Sequence, residues 1–230
     1  MEKNKYYIPD KITFTKDVLS FQSDFQLTIL EDHVYEFEDA LRKKEKILRR
    51  ELDKGLSTIF DSDQQFFFTD MISEEMSILN LHRKYFYYSV VILLYTIIEE
   101  SLERICFHLK HLMCLKLSTN DLKGSGIERS KNYIMKCGLK FPCDTSEWRK
   151  IKNLAKIRHC IVHAGGNIQD VRNPSELEKI INNLNGICIK NNSIHIEKNF
   201  ILEFIFLTKR FLRVVYDQCF CFKVDNPVSR

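Results

Sequence analysis

The sequence predicts a mainly α-helical protein: a helical bundle carrying one small β-hairpin just before its C-terminal helix. Two observations carry this expectation. Long stretches place apolar residues three and four apart with charges between them, the pattern of amphipathic helices. Only one short region, on either side of Asn191-Asn192, alternates with the period of two that a strand requires.

Taken in order, residues from about Phe25 to Ile59 set Leu30, Val34, Phe37, Leu41, Leu48, Leu52 and Leu56 on one helical face, around a charged run from Arg42 to Lys46. The polar break Asp61-Ser62-Asp63 precedes a second long helical region, from about Gln64 to Leu117, with an interruption expected near Thr69 to Ser73. Two such helices joined by a short break should pack antiparallel. The loop from Asp121 to Gly126 follows. Ser125 and Glu128 have capping-box spacing for a helix that stops at Gly138. Asp144 and Glu147 repeat that spacing ahead of a helix from Trp148 to His163, and Asn173-Pro174 starts a short helix with proline at its first position. Ile187 to Lys190 and Ser193 to Ile196 form the hairpin, and a helix from about Asn199 to Phe222 closes the chain, with Phe204, Leu207, Phe211, Val215 and Cys219 on its core face and Lys209, Arg210 and Arg213 on a basic one.

A length of 230 residues with 44% apolar and 12% aromatic content can fill a large core, and no linker divides the chain, so one domain over residues 1–230 is expected. Residues 1–62 form a long N-terminal helical extension to it. The formal charge of +4 tolerates a nucleic-acid partner without demanding one. Eight cysteines contain no C-x-x-C pair, which reads as reduced thiols within helices, and the N-terminus leads into no signal-like apolar segment; a cytoplasmic location is expected. The apolar run Tyr85 to Ile98 is too short to span a bilayer and continues into Glu99, Glu100 and Glu103, so no membrane association is expected. With no H-E-x-x-H motif, no cluster of carboxylates and no phosphate-binding glycine loop, neither a metal nor a cofactor is expected.

The candidate site is the run Arg158-His159-Cys160-Ile161-Val162-His163-Ala164-Gly165-Gly166. On a helical wheel Trp148, Ile151, Leu154, Ala155, Ile157, Ile161 and Val162 share one apolar arc, and Arg158 falls inside it. A guanidinium there needs an anionic partner or a wet cleft, because it stays charged. Glu99 and Glu100 are the expected partners, in a pair that either simply ties two helices together or holds Arg158 for chemistry. His159 and His163 lie four apart, on one side of the last turn before the glycine stop, where the helix dipole favours a protonated imidazole. An imidazole that transfers protons near neutral pH beside an arginine that clamps phosphate oxygens is the equipment of metal-independent phosphodiester cleavage.

Arg158 to His163 resembles the R-(N/H/D)-x3-H signature of the HEPN superfamily, the higher eukaryotes and prokaryotes nucleotide-binding domain. Arg83 to Leu102 resembles the first core helix of that family, and Asp121 to Ile127 a connector found in some branches; the likeness spans roughly residues 81–166, with weaker similarity to the C-terminus. The resemblance implies an HEPN core over residues 81–222 and a homodimer in which two motif helices face each other across a composite site. It implies endoribonuclease chemistry by Arg158 and His163, with His159 at the motif's variable polar position. It also implies an RNA substrate, a role as a toxin or defence effector, and an antitoxin or defence-system partner. Some members have lost catalysis, so a noncatalytic interaction or nucleotide-binding module is the alternative expectation.

Overall fold

The computed structural model describes residues 10–221. Six α-helices and one two-stranded antiparallel sheet follow in the order α1 (Lys11–Thr58), α2 (Ser62–Leu112), α3 (Gly126–Lys136), α4 (Ser146–Ala164), α5 (Pro174–Asn182), β1 (Ile187–Lys190), β2 (Ser193–Ile196) and α6 (Lys198–Cys219). The protein is therefore mainly helical, with the hairpin directly before the final helix. Short 3₁₀ turns at Thr119–Asp121 and Ile168–Asp170 complete the described chain. No helix among the described residues is long and apolar enough to cross a membrane.

Helix α1 begins at Lys11, more than a dozen residues before the expected start near Phe25. Asp10 is the reason: its carboxylate accepts from the backbone N–H groups of Ile12 (2.9 Å) and Thr13 (3.0 Å), satisfying two donors of the first turn. Helix α2 starts after Asp61, whose Oδ1 accepts from Gln64 N. It runs unbroken through residues 69–73, where an interruption was expected. The hydroxyl of Thr69 bonds back to Gln65 O within the helix, and Ile72 on the same turn is buried, so the helix absorbs the polar residues. It ends at Leu112 and not Leu117, because Cys114 turns left-handed (φ 52°) and Leu115 N bonds to Lys110 O.

Two further starts differ from expectation in detail. Ser125 stands at the N-cap of α3 but makes no side-chain capping bond, and Glu128 pairs with Lys131 instead. The cap of α4 is Thr145, one residue beyond Asp144, with its hydroxyl accepting from Trp148 N. Gly138 stops α3 as expected, at φ 79°. The hairpin forms from the expected strands, with Ile187 opposite Ile196 and Lys190 opposite Ser193, around Asn191 and Asn192 at φ 49° and 61°. Helix α6 spans Lys198–Cys219 against an expected Asn199 to Phe222, and Phe222 lies outside the described residues.

The described chain divides into two compact units, one from residues 10–28, 93–155 and 204–221 and the other from 29–92 and 156–203. In the first, Trp148 stacks on Phe211 at 5.7 Å and meets Phe141 edge-on at 5.0 Å, and the buried hydroxyls of Ser23, Ser101 and Tyr216 satisfy one another. In the second, Leu41 and Leu48 of α1 pack with Ile72 and Leu79 of α2. There Glu38 and Glu45 of α1 meet Arg83 of α2, and Gly55 faces Phe68 so closely that an added Cβ would lie 2.1 Å from the ring. Partner numbers rise along α1 as they fall along α2, so these segments run antiparallel.

Candidate functional site

Helix α4 presents its residues in two ways. Ile157, Cys160 and Ile161 are buried, as the wheel requires, while Val162 is 42% exposed and so leaves the apolar arc on which it was expected. Arg158 is half-buried. His159 and His163 are both exposed, and their rings lie side by side, centroids 4.4 Å apart at 46°. One helical turn thus brings two imidazoles together on a solvent-facing surface, while Arg158 of the same helix is seated on a deeper face.

The glycines that stop α4 also anchor it. Gly165 (φ 58°) and Gly166 (φ 83°) are left-handed, and Gly166 N bonds back to Cys160 O at 3.2 Å. The chain then docks on β2: Gly166 O accepts from Ile194 N (3.0 Å), Ile168 N donates to Asn192 O (2.8 Å), and Asn167 bridges Ser193. The hairpin therefore holds the end of the helix that carries His163.

Tyr88 of α2 locks this junction. Its buried hydroxyl donates to Ile194 O at 2.7 Å, lies 3.4 Å from Ser193 Oγ, and occupies the space where a Cβ on Gly166 would stand. Burial raises its pKa, so the hydroxyl stays protonated and remains a donor. Lys84, one turn earlier, sits 5.4 Å from the Tyr88 ring and 5.9 Å from the exposed ring of Tyr85. On the outward face of β2, burial lowers the pKa of His195, and the cations of Lys190 and Lys84 lower it further.

None of Lys84, Tyr88, Ser193 or His195 stands out as a site residue in the sequence. The aromatic run around Tyr88 reads as ordinary core, and only the alternation Ile194-His195-Ile196 announces that His195 points outward. Of the expected carboxylates, both in the first unit, Glu99 is half-buried against the start of α3, where an added Cβ on Gly126 would lie 2.6 Å from its Oε1. Glu100 is exposed and pairs with Arg104 one turn on.

All eight cysteines are free thiols. Burial pushes Cys160, beside the site, up to about 11 and Cys106 up to about 12, which makes both poor nucleophiles. Among the described residues no group of three or more His, Cys, Asp or Glu side chains is placed to hold a metal ion. No protein-family model, no curated protein and no solved structure matches this chain.

Proposed function

We propose that this protein is a metal-independent endoribonuclease of the HEPN type, acting as a toxin or defence effector through a composite site to which two copies each contribute Arg158, His159 and His163. The observation that carries this reading is the pair of exposed, adjacent imidazoles of His159 and His163 at the end of α4, the helix that also carries half-buried Arg158.

In this chemistry a neutral imidazole removes the proton of a ribose 2′-hydroxyl, whose oxygen attacks the adjacent phosphorus. A protonated imidazole gives its proton to the departing 5′-oxygen. The products are a 2′,3′-cyclic phosphate and a free 5′-hydroxyl, so proton and bond counts balance within the RNA and the two histidines. His163 is assigned proton transfer and His159 assists it or positions the substrate. Arg158 stabilises the charge that accumulates on the phosphorane oxygens. Two motif helices supply more imidazoles than one, which suits a reaction needing a base and an acid at once.

The second reading, a noncatalytic interaction or nucleotide-binding module working with a partner protein, is favoured by one observation: Val162 is exposed between the two histidines, as a contact residue would be. The deciding experiment incubates purified wild-type and His163→Ala protein with total RNA and tRNA in EDTA and resolves the products on a denaturing gel. Cleavage by wild type alone, leaving cyclic-phosphate or 3′-phosphate ends, supports the nuclease. Intact RNA in both lanes sinks it and leaves the binding module.

A further inference from the structure

The first turns of α1 carry two apolar faces. Ile12, Leu19 and Leu27, with Ser23 among them, are buried on one side. On the opposite side Phe14 (59% exposed), Val18 (39%), Phe21 (69%) and Phe25 (56%) form a continuous stripe in contact with solvent. Their spacing of four, three and four is the a/d repeat with which one helix faces another in a coiled coil. At 100° per residue the four side chains fall within about 60° of arc, directly across the helix from the buried set.

We infer that this stripe is a homotypic interface, on which α1 of a second copy of the chain packs. Three features favour that occupant. The first is area: three phenylalanines and a valine at these exposures present roughly 400 Å² of apolar surface. Because apolar atoms make up about 57% of an ordinary interface, such a core belongs to roughly 700 Å² per partner, close to the ~800 Å² of a standard protein–protein contact.

The second is the rim. Along one flank α1 is tied to α6 by Lys16 with Asp217 (3.2 Å) and Asp24 with Arg213 (3.3 Å); along the other, Gln22 accepts from Arg104, which also holds Glu100. These pairs join ions of both signs within one copy, and Lys11 and Asp17, exposed beside the stripe, add one ion of each sign. A two-fold interface must be self-complementary, and a rim of this kind meets its own image without like charges opposed. The third follows from the same rim: it carries no excess of Lys and Arg, which an anionic membrane surface or a nucleic acid would require.

This contact uses a face of α1 and is separate from the pairing of motif helices proposed for the composite site, so each stands or falls alone. The test is the molar mass of the full-length protein at micromolar concentration, by sedimentation equilibrium, for wild type, Phe21→Glu, Phe21→Ala and the control Phe60→Ser, which alters an exposed residue off the stripe. Phe21→Glu is expected to halve the mass of the wild-type assembly while retaining its helical circular dichroism. Phe21→Ala should weaken the assembly at least tenfold, and Phe60→Ser should leave it unchanged. A benzoyl-phenylalanine placed at position 21 should photo-crosslink to α1 of another copy. A monomeric wild type, a Phe21→Glu protein of wild-type mass, or crosslinks only to other elements would overturn the inference, whatever the RNA assay shows.

Discussion

The hydroxyl of Tyr88 stands 2.0 Å from where a Cβ on Gly166 would be, so a tyrosine on α2 fills the gap that a missing side chain leaves at the end of α4. Gly166 is also left-handed, at φ 83°. Gly166→Ala meets both a strained backbone and a clash, each costing about 1–3 kcal/mol. We expect a loss of about 3 kcal/mol in urea unfolding, together with loss of whatever activity depends on His163. Tyr88→Phe, which removes the donor to Ile194 O and the contact with Ser193 Oγ, should cost about 1 kcal/mol.

Glu38 is the most consequential carboxylate in its unit. It is buried, and it accepts from Arg83 Nε at 3.1 Å and from the Tyr87 hydroxyl. Glu38→Ala orphans the Tyr87 phenol while Arg83 keeps Glu45, and should destabilise by about 2–3 kcal/mol. Lys156→Ala, which removes an exposed pair with Glu176, should change stability by less than about 1 kcal/mol. Chemical denaturation of the two variants side by side checks the contrast.

Stability should also fall on the acid side through histidine. His195 and His108 both have pKa values lowered from 6.5 in the fold, chiefly by burial, with Lys190 and Lys84 adding to the first and His111 to the second. The unfolded chain takes up protons at pH values where the folded chain still refuses them. The stability these groups contribute is therefore intact above about pH 6.5 and declines as pH drops below it. His195→Asn should flatten the slope of unfolding free energy against pH in that window, measured by urea midpoints from pH 7.5 downward; an unchanged slope would remove His195 from the account.

If the proposed chemistry holds, Arg158→Lys keeps the charge yet loses the planar fork that grips two phosphate oxygens. RNA cleavage should fall by about 100-fold or more. His163→Ala should abolish cleavage and, because that side chain is exposed, shift stability by no more than about 0.5 kcal/mol. Single-turnover cleavage in EDTA, paired with thermal melts, separates the two effects.

How much of the structure is legible in the sequence depends on how local its cause is. The hairpin and its two strands follow from alternation around Asn191-Asn192, and the adjacency of His159 and His163 from a spacing of four. The start of α1 is not legible because its two apolar faces, Ile12-Leu19-Leu27 and Phe14-Val18-Phe21-Phe25, superimpose in sequence and blur the single periodicity that marks an amphipathic helix. Thr69 and Ser73 suggested a break in α2 because a hydroxyl's bond back to its own helix is invisible without coordinates. The anchoring of α4 was illegible for a different reason: Tyr88 and Ile194 are 106 residues apart, and no short-range pattern encodes their hydrogen bond.

The two-residue turn at Asn191-Asn192 turns the hairpin into a fixed-length spacer. Surface turns ordinarily tolerate added residues, but side chains in β2 alternate between faces, so a one-residue shift of register would carry Ile194 to solvent and bring Ser193 or His195 inward. The carbonyl that Tyr88 grips and the N–H that Gly166 O accepts both belong to Ile194. A one-residue slip of β2 would thus release the end of α4 from nearly thirty residues away, while leaving every residue of the arginine–histidine run untouched.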